Sequence, residues 1–141
     1  MSQLIPPGDA VQIATQPDPY APFLISQAIR AGNLLFVSGQ AALTLDGALV
    51  GVGDFDLQAD QAFDNLRRVL EAGGSSLGQV VKVTIYLTDM AHFPKVVGLR
   101  AKYFRKPYPA DTIVEVRALA LPELMIEIEA VGLVGGTIHA A

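Results

Sequence analysis

Cysteine is absent from the 141 residues, which removes disulfides, thiolate nucleophiles, zinc-finger sites and Cys-ligated iron–sulfur clusters together. Positive charge is scarce: ten Lys and Arg stand against fourteen Asp and Glu, for a net charge of −4. No basic run could neutralise a row of phosphates, so nucleic acid is not an expected partner. Histidine occurs twice, at His92 and His139, far apart and without a ligand-spaced companion, so no metal site is expected. No stretch reaches the roughly 18 uninterrupted apolar residues of a membrane span, and residues 1–15 lack the basic lead-in and apolar run of a targeting signal. The expectation is a cytoplasmic protein with no membrane partner. What is present in quantity is apolar material: 51% of residues are hydrophobic and 17% charged, with a mean hydropathy of +0.39. That suffices for one compact core in a chain too short for two.

Proline is concentrated at one end. Pro6, Pro7, Pro17, Pro19 and Pro22 fix the backbone and remove ladder donors, so residues 1–22 read as an extended arm with regular structure starting after it. A single domain over 23–134 and a frayed tail over 135–141 follow. Residues 26–37 turn at Gly32-Asn33 and read as a hairpin whose second strand ends at Ser38-Gly39-Gln40. Within 56–72, Ala59, Ala62, Phe63, Leu66, Val69 and Leu70 recur at spacings of three and four, the pattern of an amphipathic helix. Asp54 or Asp56 can cap its start, and Gly73-Gly74 can supply its exit. Val81, Val83, Ile85 and Leu87 alternate with Lys82, Thr84, Tyr86 and Thr88, a strand. A second helix is predicted over 93–105, with Pro94 in its first turn and Pro107 and Pro109 as its stop. Strands over 112–118 and 124–134 complete the order ββ-α-β-α-ββ, an α+β fold with a mixed sheet and both helices on one face.

Two helices shield one face of such a sheet. The other face also carries apolar surface from residues 34–37 and 124–134, more than a wet face of an antiparallel sheet normally shows. Burial against copies of the same chain in a closed ring solves this, so a homo-oligomer with clefts between subunits is expected.

Four stretches together resemble the Rid proteins, the reactive intermediate deaminases also called the YjgF or UK114 family. They are SQAIRAGNLLFVSGQ at 26–40, AGGS at 72–75, VKVTIYLTDM at 81–90 and IEIEA at 126–130. The resemblance covers nearly the whole chain from about residue 20 onward. It implies a chorismate-mutase-like homotrimer with a central barrel of sheets and three small-molecule clefts at the subunit interfaces. Active members resemble hydrolases of enamines and imines, yielding a 2-oxo acid and ammonia without metal or cofactor. In those members an arginine at the start of the strand after the second helix grips the substrate carboxylate, a two-pronged contact that lysine cannot copy. A glutamate on the last strand orients or activates water, and the backbone of a Ser-Gly pair helps hold the ligand.

Residue by residue, the glutamate matches Glu127 and the Ser-Gly pair matches Ser38 and Gly39. The arginine falls on Asp111, the cysteine two residues later on Ile113, the tyrosine before Ser-Gln on Ile25, and the second helix's asparagine on Val97. The resemblance is therefore to a divergent branch that lacks the arginine. Ile25, Phe93, Val97, Asp111, Ile113, Ser38 and Gly39 are the expected ligand-binding positions, and Glu127 the catalytic one.

Each candidate has a plainer reading beside it. Glu127 and Glu129 share one strand face and could be a solvated carboxylate pair; as an acid–base group, Glu127 would take a proton from attacking water and return it to the departing amine. Asp111 reads either as a turn residue or as a cleft carboxylate that selects neutral, amine or amidine ligands. Ser38 lacks a preceding glycine at nucleophile-elbow spacing and a histidine base, so it reads as a hydrogen-bonding turn residue. The expected function is hydrolysis or deamination of an enamine, imine or related reactive nitrogen metabolite. The alternative is a non-catalytic ligand-binding or chaperone-like trimer. Ribonuclease action is disfavoured by the net charge and the lack of a catalytic histidine pair.

Overall fold

The computed structural model describes residues 5–141. Six strands form one sheet: β1 (Ala10–Ile13), β2 (Ala28–Ala31), β3 (Leu34–Ala41), β4 (Val80–Leu87), β5 (Ala110–Glu115) and β6 (Ile126–Leu133). Their spatial order is β1-β2-β3-β6-β4-β5, with β4 and β5 parallel and every other neighbour pair antiparallel. Helices α1 (Phe55–Ala72) and α2 (Phe93–Tyr103) follow β3 and β4. Both make crossovers in the same direction along the sheet, from β3 to β4 and from β4 to β5. The right-handed rule for such crossovers places them on one face.

The helix-side core joins α1, α2 and alternate residues of the central strands. Leu35, Val83, Ile85, Leu87, Ile126 and Ile128 are wholly buried with Ala59, Ala62, Phe63, Leu66, Leu70 and Val96. Phe63 ties the helices together: Tyr103 stacks on it at 4.3 Å between centroids, and Phe104 meets it edge-on at 5.6 Å. The ends of α1 follow from its flanks. Asp54 accepts a hydrogen bond from the Leu57 amide at 3.1 Å, and Gly74 takes φ +84, where an L side chain would be strained.

Three expected boundaries change. Among the described residues regular structure begins at Ala10, inside the proline-rich segment, because AVQI is a proline-free gap long enough to pair antiparallel with β2. The first strand pair's continuation, β3, runs through Ser38-Gly39-Gln40 to Ala41, with a bulge between Val37 and Gln40 that keeps it pairing with β6. Helix α2 ends at Tyr103, and β5 starts at Ala110, so Asp111 lies in a strand. On α2, Val96 is buried while Phe93 and Val97 are 40% and 57% exposed; of these apolar side chains only Val96 turns toward the sheet. Among the described residues no helix is long and apolar enough to cross a membrane.

Candidate active site

The face away from the helices carries the chemistry. Because strand side chains alternate, β6 presents Glu127 and Glu129 there and sends Ile126, Ile128 and Ala130 into the core. Register places Tyr86 of β4 beside Glu127 on one side and Ala41 of β3 on the other. The bulge then brings Gly39 against the carboxylate. A Cβ on Gly39 would lie 2.5 Å from Glu127 Oε1 and 2.7 Å from its Cδ, so the absence of a side chain at 39 makes room for the acid.

Tyr20 closes the other side. It precedes a turn of 3-10 helix (Ala21–Phe23), and its hydroxyl donates to the Gly39 carbonyl. Burial raises the phenol's pKa, and the charges of Glu127 and Asp18 raise it further, so Tyr20 stays a neutral donor. Burial likewise pushes the Glu127 carboxyl above its ordinary value, with the neighbouring charge of Glu129 adding to the effect. Glu129 is held by the Tyr86 hydroxyl, which donates to Oε1 at 2.5 Å. A half-buried carboxyl of raised pKa, beside a backbone carbonyl and a tyrosine, is equipped to exchange a proton with water.

The Ser38 hydroxyl donates to the Ser26 carbonyl at 2.6 Å, and its amide donates to the Gln27 carbonyl at 2.9 Å. It fastens the hairpin beside Gly39. Ile25 is 48% exposed, next to Leu24, whose φ of 60 and 95% exposure mark a sharply turned, apolar loop tip. Farther along the same face, Phe36, Lys82, Thr84, Glu129 and Val131 line a hollow of about 240 Å³.

Asp111 and Ile113 lie elsewhere. Register pairs them with Val83 and Ile85, whose side chains belong to the helix side, and Ile113 packs on that core. Within one protomer, therefore, Asp111 and Glu127 are on opposite faces. The turn reading of Asp111 is corrected, since the residue lies inside β5. Arg100 of α2 grips it through two bonds, Nε to Oδ2 at 2.8 Å and Nη2 to Oδ1 at 3.0 Å, so the pair carries no net charge. Sequence reading missed Tyr20 and Arg100. Tyr20 lies five residues before the matched tyrosine position at Ile25, and only the loop's left-handed turn brings its hydroxyl to Gly39. Arg100 could have been suspected as a cation in the last turn of a helix that feeds the strand bearing Asp111. His92 stacks on Phe55 at 4.1 Å.

Comparison with known proteins agrees with this architecture. Residues 13–134 match the family described as Endoribonuclease L-PSP. A RutC family protein of Pyrococcus horikoshii is 43% identical over 115 residues, which cover 82% of this chain and 89% of that protein. A protein of Dermatophagoides farinae named 2-iminobutanoate/2-iminopropanoate deaminase is 33% identical over 82% of this chain and 88% of its own length. Among solved structures, RidA of a Psychrobacter species is similar with a TM-score of 0.79 and 34% identity, covering 87% of this chain and 98% of that one. Yeast YEO7 is similar with a TM-score of 0.82 and 38% identity, covering 89% and 98%. With a family model matching residues 13–134 and relatives of 33–43% identity over 82% of the chain, the chain belongs to the Endoribonuclease L-PSP family, the YjgF, Rid and UK114 group.

Proposed function

We propose that this protein is a cofactor-independent hydrolase of imines and enamines, acting in a cleft that a neighbouring copy of a homotrimer completes. The observation that carries the reading is Glu127, a half-buried carboxyl with a raised pKa, seated on Gly39 beside Tyr20. In the reaction, water attacks the carbon of the protonated imine and gives a proton to Glu127 as the C–O bond forms and the C=N π pair passes to nitrogen, leaving a neutral carbinolamine. The carbinolamine then takes that proton back on nitrogen, the C–N bond breaks as the hydroxyl proton passes to solvent water and its O–H pair forms the C=O bond, and ammonia leaves an oxo compound. Protonated Glu127 is the acid of the second half, and its raised pKa suits both halves better than an ordinary carboxyl would.

Support for a second copy comes from the apolar surface left open on two sides. Phe36 on the open sheet face is 47% exposed, and Val97 on α2 is 57% exposed. Support for the chemistry comes from the related deaminase of Dermatophagoides farinae.

The test generates imines in situ with an amino-acid oxidase and follows loss of semicarbazone trapping across acidic, neutral and basic amino acids. Acceleration that disappears in Glu127→Ala, with the fold intact by circular dichroism, is the expected result. No acceleration with any substrate refutes the deaminase and leaves a cleft that only binds.

A further inference from the structure

Lys82 and Glu129 are neighbours of opposite charge that do not pair. The register sets Lys82 opposite Val131 and Thr84 opposite Glu129, so the two are diagonal neighbours on the open face, one strand over and two residues along. Residues so placed lie roughly 7–8 Å apart, within reach of long side chains. Neither takes part in an ion pair among the described residues. A neutral hydroxyl draws each one away from the other. The Lys82 ammonium donates to Thr112 Oγ1 at 2.6 Å, toward β5 and away from β6. Glu129 Oε1 accepts from the Tyr86 hydroxyl at 2.5 Å, toward the row of Glu127. Both keep capacity to spare, since an ammonium has three donors and a carboxylate two oxygens.

The space between them is the hollow of about 240 Å³, with Thr84 on its floor and Phe36 and Val131 as its apolar wall. An anion there gains from Lys82 and is repelled by Glu129, and a cation meets the reverse. A ligand with both signs a few bonds apart gains at both ends. The hollow is below the roughly 300–1,000 Å³ of drug-sized sites, and the Phe36 ring is 47% exposed, so the fit is to a small molecule with an apolar part. We infer that this hollow binds a free α-amino acid with an apolar side chain. Its ammonium lies on Glu129, its carboxylate on Lys82 and Thr84, and its side chain against Phe36 and Val131. Because Thr112 and Tyr86 already hold the two charges apart, binding breaks no ion pair and orders little that was free. The site adjoins Glu127 without using it, and it stands whether or not the protein is a deaminase.

The test is an NMR chemical-shift titration with three probes. L-Leucine carries both charged groups, 4-methylpentanoate is the same skeleton without the ammonium, and 3-methylbutylamine the same without the carboxylate. Leucine is expected to bind about tenfold or more tightly than either analogue, the range for a hydrogen bond to a charged group. Lys82→Met weakens leucine and 4-methylpentanoate by that order and leaves 3-methylbutylamine no weaker. Glu129→Gln does the opposite, weakening leucine and 3-methylbutylamine while 4-methylpentanoate binds as well as before or better. A merely structural role cannot produce this crossover: a disturbed fold weakens all three probes alike, and that equal loss would overturn the inference. Leucine binding no tighter than its analogues would overturn it too. So would the absence of any leucine binding at millimolar concentration, which, with a light-scattering mass above that of one chain, would give the hollow to a side chain of a second copy.

Discussion

The two faces of the central sheet are built from the same strands and do opposite things. On the helix side, Val83, Ile85, Leu87, Ile126 and Ile128 are all fully buried, packed at the density of a protein interior, where removing even one methylene is felt. One residue along each strand, the open face carries Thr84, Tyr86, Glu127 and Glu129, all half-buried, with the Tyr86 hydroxyl donating to Glu129. Period-two alternation thus separates stability from chemistry within single strands. A substitution on one face should change how firmly the chain folds, and one on the other what it does.

Glu127→Gln is the largest expected break in activity. Loss of a general acid–base group lowers turnover by about 10²–10⁴-fold, and the folded protein should melt no lower than the parent, because a half-buried carboxyl of raised pKa is a cost to folding at neutral pH. Imine hydrolysis and a thermal melt on the same sample check both halves. A fall in melting temperature with retained turnover would erase the distinction between the faces.

On the covered side, Phe63→Ala removes the ring that Tyr103 and Phe104 both pack against. It should lower the unfolding free energy by about 3–5 kcal/mol in denaturant titration, while activity per folded molecule stays near that of the parent. Gly39→Ala sharpens the comparison from the open side. The new methyl would occupy the position of the Glu127 carboxylate, and the flexible end of that side chain can move away at small cost in stability. Misplacement of about 1 Å can cost about 10²-fold in rate, so activity should fall by that order with little change in the melt.

The elements most legible in the sequence are those whose pattern is local. Helix α1 has its apolar spacing and both end signals in one stretch, and β6 alternates throughout, as β4 does from Lys82 onward after a register shift at its start, so the face assignments of Glu127 and Glu129 could be read directly. β1 was hidden by the prolines on either side of it, since a four-residue strand has too little pattern to show against them. The candidate site was legible where a motif marks it, at Ser38, Gly39 and Glu127. It was not legible where two distant segments meet. Tyr20 reaches Gly39 across 19 positions through a left-handed residue at Leu24, and Arg100 reaches Asp111 across a helix end and a loop. Counting along the chain sees the residue types there but not which partner each will find.

The smallest effect is a shift in pH dependence, and it tests whether the open-face carboxylates act as a pair. Burial first and Glu129 second hold the Glu127 carboxyl above its ordinary value. The Tyr86 phenol, pushed up to about 12 chiefly by its bond to Glu129, remains a donor at every working pH. A base that acts when ionised gives kcat/KM that rises with pH through its own pKa, so the acid limb should lie above the roughly 4.3 of a free glutamate. Glu129→Gln removes the nearby charge and leaves burial in place. The limb should therefore move to lower pH but stay above the free value, with the plateau little changed. Stability has the opposite sense. Because the folded pKa of Glu127 exceeds its unfolded one, protonation favours the folded state; that contribution is full below the unfolded value and is lost as pH rises through the folded value. Glu127→Gln should then raise the melting temperature at pH 7 and gain less at pH 4. An acid limb unmoved by Glu129→Gln would show that burial alone sets the pKa of Glu127 and that the second carboxylate is a bystander on the face.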